Sequence, residues 1–169
     1  IAATRAVLTV GLLGLWFALR RRSVRMDWGL WLHAVGLGCL VAIMFWGNIA
    51  AVQYIPVGLA ALLFYTYPPM VALGSALVFR ERISRSKAVA LGVAFVGLGV
   101  MLGVSLGSAD GVGMAISICA AAATAVNAMW VARRMRGVDP LLLTFHMAIV
   151  AALVLVTLLV YEGGLVMPT

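Results

Sequence analysis

The sequence predicts an all-α fold, a polytopic transmembrane helix bundle, and three observations predict it. Apolar residues make up 65% of the 169-residue chain and charged residues only 10%, with a mean hydropathy of +1.16. Soluble domains run near half apolar and a quarter charged, so this chain has no polar exterior to offer water. The apolar residues also fall in runs of about 20, the length a helix needs to cross a hydrocarbon core about 30 Å thick. Finally, the basic residues stand in short clusters between those runs.

Six runs follow in order. The first extends from about Ile1 to Leu19 and stops at Arg20, Arg21, Arg22 and Arg25. It is already under way at Ile1, so a missing N-terminus is expected. The second covers about Trp28 to Ala51, and a turn around Gln53 to Pro56 follows. The third covers about Gly58 to Phe79 and ends in Arg80, Glu81, Arg82, Arg85 and Lys87. Ser84 or Ser86 is placed to cap the fourth, which reaches about Leu106. A Gly- and Ser-containing turn from Gly107 to Gly111 leads into the fifth, which ends near Ala132 before Arg133, Arg134 and Arg136. Asp139 and Pro140 open the sixth, where Pro suits the first helical turn, and it closes near Tyr161 before Glu162.

Every Lys and Arg except Arg5 lies in a loop after the first, third or fifth run, and the loops after the second and fourth hold none. By the positive-inside rule, loops 20–27, 80–87 and 133–139 are therefore cytoplasmic. The net charge of +7 is explained by those loops. A nucleic-acid partner is not expected, because no distributed basic face with stacking aromatics is present. Trp16, Trp28, Trp31 and Trp130 lie near the cytoplasmic ends and Trp46 near the outer end, as interfacial anchors do. Trp46 also fits an aromatic substrate box.

Cys39 and Cys119 lie in separate runs with no Cys or His at ligand spacing, so they read as buried small residues. No metal or other cofactor is expected. No catalytic constellation appears either, so the chain does not read as an enzyme. Gly99, Gly103 and Gly107, and Ala120 to Ala123, give thin helix faces that permit close packing; whether one of them forms a homodimer is left open.

A few residues stand out against the apolar background. Arg5 lies about 22 Å from the cytoplasmic edge of its helix, where an insertion cost on the order of 2.5–3.5 kcal/mol turns it toward the bundle, a wet cavity or the interface. His146 stands just over a turn into the sixth run, as a hydrogen-bonded packing residue or part of a substrate path. Tyr65-Thr66-Tyr67-Pro68-Pro69 falls near the middle of the third run. Each proline removes a helical donor, so the carbonyls of Phe64 and Tyr65 lose their partners. Such breaks are tolerated where protein or water covers them, and they mark binding sites in many transporters, though a plain kink produces the same pattern. Asn48, Gln53 and Asn127 read as hydrogen-bonding residues near helix ends. No Asp or Glu lies deep in any run, which disfavours exchange built on a membrane carboxylate. Glu81 lies among arginines, where a local ion pair explains it.

Thr4-Arg5-Ala6-Val7-Leu8 and Phe145-His146-Met147-Ala148-Ile149 each lead into a small- and Leu-rich run. They lie five runs apart and so cross in opposite senses, as an inverted repeat requires. The stretch from Asn48 to Pro69, followed by Phe79-Arg80-Glu81-Arg82-Ile83-Ser84 and Gly97-Leu98-Gly99, resembles the EamA type of the drug/metabolite transporter superfamily. The resemblance covers nearly the whole chain. It implies a ten-helix inverted-repeat (5+5) transporter fold around a central cavity. Residues 1–106 would then be the remainder of the first repeat and 107–169 the start of the second, with the first helix and last three absent. Arg5 matches an Arg early in the family's second helix, and His146 the corresponding place in the other half. The implied function is export of small metabolites by alternating access in a bacterial inner membrane. Arg5, Trp46, Asn48, Tyr65, Tyr67, Pro68, Pro69, Asn127 and His146 are the cavity candidates, with Glu81 and Arg82 as loop residues. A non-transporting membrane scaffold is the alternative.

Overall fold

The computed structural model describes residues 2–80, 84–102 and 110–161. Among the described residues all regular structure is helical: α1 (Ala2–Leu19), α2 (Trp28–Ala51), α3 (Val57–Phe64), α4 (Tyr67–Phe79), α5 (Arg85–Leu102), α6 (Gly111–Arg134) and α7 (Pro140–Tyr161). In hydrocarbon each backbone N–H and C=O must find its partner within its own segment, which leaves the helix as the open-ended solution. Among the described residues four helical spans are long and apolar enough to cross a membrane: Trp28–Ala51, Val57–Phe79 (α3 and α4 together), Gly111–Arg134 and Pro140–Tyr161. Thr4–Leu19 is a shorter apolar helix. The helix α5 opens on Arg85 and Lys87, which shortens its apolar length, and the end expected for it near Leu106 lies outside the described residues. Large apolar side chains face outward all along the helices, including Leu12, Leu19, Leu77 and Val160. That exterior suits lipid, and the protein is an integral membrane helix bundle.

Local signals set the helix ends. Asp139 Oδ1 accepts from the Leu141 N–H at 3.0 Å, and Asp110 Oδ1 accepts from the Val112 N–H at 2.7 Å, so each carboxylate caps the helix that follows. Ser84 Oγ accepts from the Lys87 N–H at 3.3 Å. Of the turn expected from Gly107 to Gly111, the first three residues lie outside the described ones. At the other end of α1, the Arg22 N–H donates to Phe17 O and the Arg21 N–H to Ala18 O. This is a Schellman motif with Arg21 in the left-handed position, φ 48°.

The chain divides into two compact units, Ile1–Ala42 with Arg134–Thr169, and Ile43–Arg133. In the first, α1 and α7 run antiparallel. Phe17 packs on Phe145 with ring centroids 5.5 Å apart, Gly14 faces the same ring, and further along Arg22 pairs with Asp139. The first part of α2 presses on α7 at Gly38. A Cβ there would stand 2.6 Å from Val150 Cβ and 2.8 Å from the Met147 carbonyl oxygen. Where water no longer drives association, such small-residue contacts let the backbones approach and gain dispersion energy.

In the second unit the end of α2 lies along α6. Gly47 faces Ala120, and Gly113 faces Tyr54 and Ile55 so closely that an added Cβ would fall 2.7 Å from Tyr54 Cβ. Ala51, Ile55, Leu59 and Ala60 form its core, with Leu63, Met114 and Ile116 packed against them. The thin section expected at Ala120 to Ala123 is used: Ala120 and Ala121 are fully buried. Gly74 of α4 faces the flexible Met129 side chain, and α3 packs on α5 with Leu62 near Gly99. One expectation is corrected. Cys119 is exposed and Cys39 half-buried, because in a spanning helix the lipid-facing side is as apolar as the packed side and apolarity does not report burial.

Gly38→Ala is expected to cost about 1–3 kcal/mol, since the added methyl meets backbone that cannot move aside. Gly92→Ala, with nothing within 4 Å, is expected to be neutral or to gain up to about 1 kcal/mol from helix propensity. Denaturant unfolding in detergent micelles, followed by helical circular dichroism, separates the two.

Candidate functional site

The apolar span Val57–Phe79 is not one helix. After Phe64 the chain takes one tight turn, with Tyr65 at φ −69°, ψ 6° and Thr66 at φ −73°, ψ −9°. Pro68 and Pro69 supply no N–H to the carbonyls four residues earlier. Among the described residues no hydrogen bond ends on the Phe64 or Tyr65 carbonyl. Instead the Leu63 carbonyl is doubly served, by the Thr66 N–H at 3.1 Å and the Thr66 hydroxyl at 2.6 Å. Helix resumes when the Met70 N–H reaches Thr66 O. The break therefore exposes two adjacent acceptors in mid-span while its flanks stay hydrogen-bonded.

Three rings gather at that break. Phe64 lies 6.1 Å from Tyr65 and 5.6 Å from Tyr67, and the two tyrosines are 6.5 Å apart at a tilt of 32°. Tyr65 is exposed, whereas Tyr67, Pro68 and Pro69 are half-buried. The break thus sets two phenol side chains and two open carbonyls in one turn of an otherwise apolar span. Pro69 also borders an apolar groove of about 320 Å³ formed with Ala72, Leu73, Leu91, Gly92 and Phe95.

Trp46 belongs to a different place in the same unit. It lines an apolar groove of about 500 Å³ between the end of α2 and the start of α6, with Gly47, Val112, Ile116 and Cys119. Asn48 is half-buried beside it in sequence, and its amide nitrogen donates to Met44 O at 3.0 Å, so it serves its own helix. Asn127 is half-buried in the second half of α6.

Arg5 and His146 lie in the other unit and are not brought together. Phe145 packs beside Gly14 and Phe17, and Arg5 is about 18 Å further along α1 than Phe17 at 1.5 Å rise per residue. Arg5 is exposed, and its carbonyl accepts from the Thr9 hydroxyl at 2.8 Å. His146 Nδ1 donates to Leu142 O at 2.9 Å, since a carbonyl can only accept. Its ring stands edge-on to Phe145 at 5.6 Å. Glu81 and Arg82 lie outside the described residues. No group of His, Cys, Asp or Glu that would hold a metal occurs among the described residues.

The sequence reading takes Phe64 for its carbonyl and Thr66 as part of the motif, and does not count the Phe64 ring or the Thr66 hydroxyl among the cavity candidates. Phe64 was visible as the first of three aromatics within four residues. The Thr66 bond was visible in principle, because Ser and Thr in apolar helices commonly return their hydroxyl to an earlier carbonyl. The α6 side of the Trp46 groove carried no local signal, since its residues are small and apolar.

A solved crystal structure of a protein superposes on this chain with a TM-score of 0.69 at 24% identity, covering 99% of this chain. The chain spans 60% of that structure's length, and the likeness carries the fold alone. No functionally curated protein matches. The model of the EamA-like transporter family matches residues 1–103. With more than half its length so matched, this broken-helix membrane protein belongs to the EamA-like transporter family.

Proposed function

We propose that the chain is part of a secondary transporter for small metabolites, an exporter working by alternating access. The observation that carries this reading is the mid-span break between α3 and α4, with its two open carbonyls and three rings. Half-helices joined by a tight turn that the prolines leave short of hydrogen bonds supply both a set of polar contacts and a place to flex, which is what alternating access requires. In this proposal residues 1–106 complete most of one five-helix repeat and residues 107–169 begin its inverted partner. Tyr65, Tyr67, Pro68 and Pro69 form the midplane contact, while Trp46, Asn48, Asn127, Arg5 and His146 contribute from neighbouring helices.

The different depths of Arg5 and His146 suit an inverted pair, in which equivalent residues approach the midplane from opposite sides. A scaffold reading draws on α5, where Gly92 and Gly97 meet nothing within 4 Å and Val89, Val93, Val96 and Val100 are exposed. Crosslinking from cysteines placed at Val93 and Val96 addresses it: an obligate homodimer or other partner, together with no ligand-dependent thermal shift, favours the scaffold.

Proteoliposomes holding the full-length protein and loaded with a mixed pool of amino acids, amines and nucleotide precursors are expected to show selective efflux. Tyr65→Ala and Arg5→Ala are each expected to reduce it about tenfold, the equivalent of about 1.4 kcal/mol of lost interaction. Efflux unchanged in both variants rejects these site assignments.

Orientation in a bacterial inner membrane is tested separately, in a Cys39→Ala/Cys119→Ala background. Cysteines at Ser23 and Ser84 are expected to react with a membrane-impermeant maleimide only in inside-out vesicles. A cysteine at Gln53 is expected to react only in right-side-out ones. The reverse pattern overturns the cytoplasmic placement of loops 20–27 and 80–87.

A further inference from the structure

The end of the first unit where α1 stops and α7 starts is more than a solvated basic loop. Arg22 donates to Asp139 at 3.3 Å and lies over the Trp16 ring at 5.9 Å, so it ties loop 20–27 to the loop before α7. In sequence, Arg20, Arg21 and Arg25 flank one end of that tie and Arg134 and Arg136 precede the other. Two carboxylates belong to the same patch. Asp139 is engaged by Arg22 and by its capping bonds, which leaves Asp27 to offset a single charge. Arg20, Arg21, Arg25 and Arg134 are exposed, and among the described residues no side-chain ion pair or hydrogen bond engages them.

The backbone adds an independent observation. Arg21 holds the left-handed position of the Schellman turn, φ 48°, where glycine has no steric cost and an L side chain does. At that place an arginine carries a steric cost that glycine would not, and it turns a charged side chain out at the helix end. Next to the cluster, Trp28 stacks on Trp31 with centroids 5.0 Å apart and planes at 15°, and Trp28 is 69% exposed. Stacked indoles at the start of a spanning helix lie at headgroup depth, where their apolar faces meet the upper acyl chain.

We propose that this end of the first unit binds the headgroup of an anionic phospholipid. The guanidiniums of Arg20, Arg21 and Arg25 hold its phosphate, and the Trp28–Trp31 stack holds its glycerol and upper chain. A guanidinium presents a planar fork of donors to a phosphate, and basic clusters beside a spanning helix select anionic lipid over neutral lipid by charge. The site depends on membrane insertion and on the geometry of α1, α2 and α7, and not on the transport reading.

The test uses the full-length protein in phosphatidylcholine vesicles containing brominated phosphatidylglycerol or, at equal mole fraction, brominated phosphatidylcholine. Bromine quenches nearby tryptophan, so bound lipid is reported by Trp16, Trp28 and Trp31. The wild type is expected to be quenched more by the brominated phosphatidylglycerol, and Trp28→Phe to remove part of that excess. With each arginine worth about fivefold, Arg20→Gln/Arg21→Gly/Arg25→Gln is expected to lower the preference between about 10- and 100-fold. Arg21→Gly alone is expected to lower it about fivefold, and because glycine relieves the left-handed turn this variant keeps its fold. Equal quenching by both lipids overturns the proposal, as does an excess that survives the triple substitution. Removal of the excess by millimolar inorganic phosphate overturns it in favour of a soluble anion.

Discussion

Every feature of this molecule depends on one constraint: a backbone carbonyl placed in hydrocarbon has no water to turn to. The constraint makes the chain helical throughout its described spans, and it also governs the side chains. Thr9, Thr124, Thr144 and Thr157 each return their hydroxyl to the carbonyl four residues earlier, and Asn48 and His146 do the same with nitrogen. Polar groups within the spans are thus largely absorbed by their own helices. Against that background the open carbonyls of Phe64 and Tyr65 mark a difference in kind. They are acceptors that the sequence has created, by two prolines, and has not closed.

The same absence of water removes the usual force that brings helices together, and contact distance takes its place. Gly38 against α7, and Gly47 and Gly113 on either side of the α2–α6 seam, allow approaches that a single methyl would block. Alanine is accordingly the commonest buried residue, with larger side chains such as Phe17, Leu37, Ile55, Leu59, Leu143 and Leu155 packed among the alanines. The result is two compact units whose interiors are thin and whose exteriors are bulky and apolar, the inverse of a soluble domain.

What could be read from the sequence follows from this physics. Helix positions were legible because charge clusters and prolines bound them: α2 begins at Trp28 after the arginines, and α7 begins at Pro140 after its capping Asp139. The break at Tyr65–Pro69 was legible because proline's missing donor is a local property. Facing was not legible. Cys119 was expected inside and is exposed, since lipid and helix neighbour present the same chemistry to a side chain. The groove at Trp46 was half legible, from one aromatic; the α6 residues opposite it come from more than 60 positions away in the chain. The separation of Arg5 from His146 followed from their register, but the inward bond of the histidine to Leu142 needed coordinates.

Two helix ends that close on arginine carry one more consequence. Arg21 and Arg80 both adopt left-handed backbone, at φ 48° and 55°, and both belong to basic clusters of the kind that the positive-inside rule reads. At these two positions the residue that stops the helix also carries one of the charges that the positive-inside rule counts. Drift to glycine preserves the stop and loses that charge; drift to lysine preserves the charge and keeps the steric cost. Drift to alanine loses the charge without relieving the backbone. Helix stop and charge are therefore not independently mutable here, and the substitutions open to such a turn are correspondingly few.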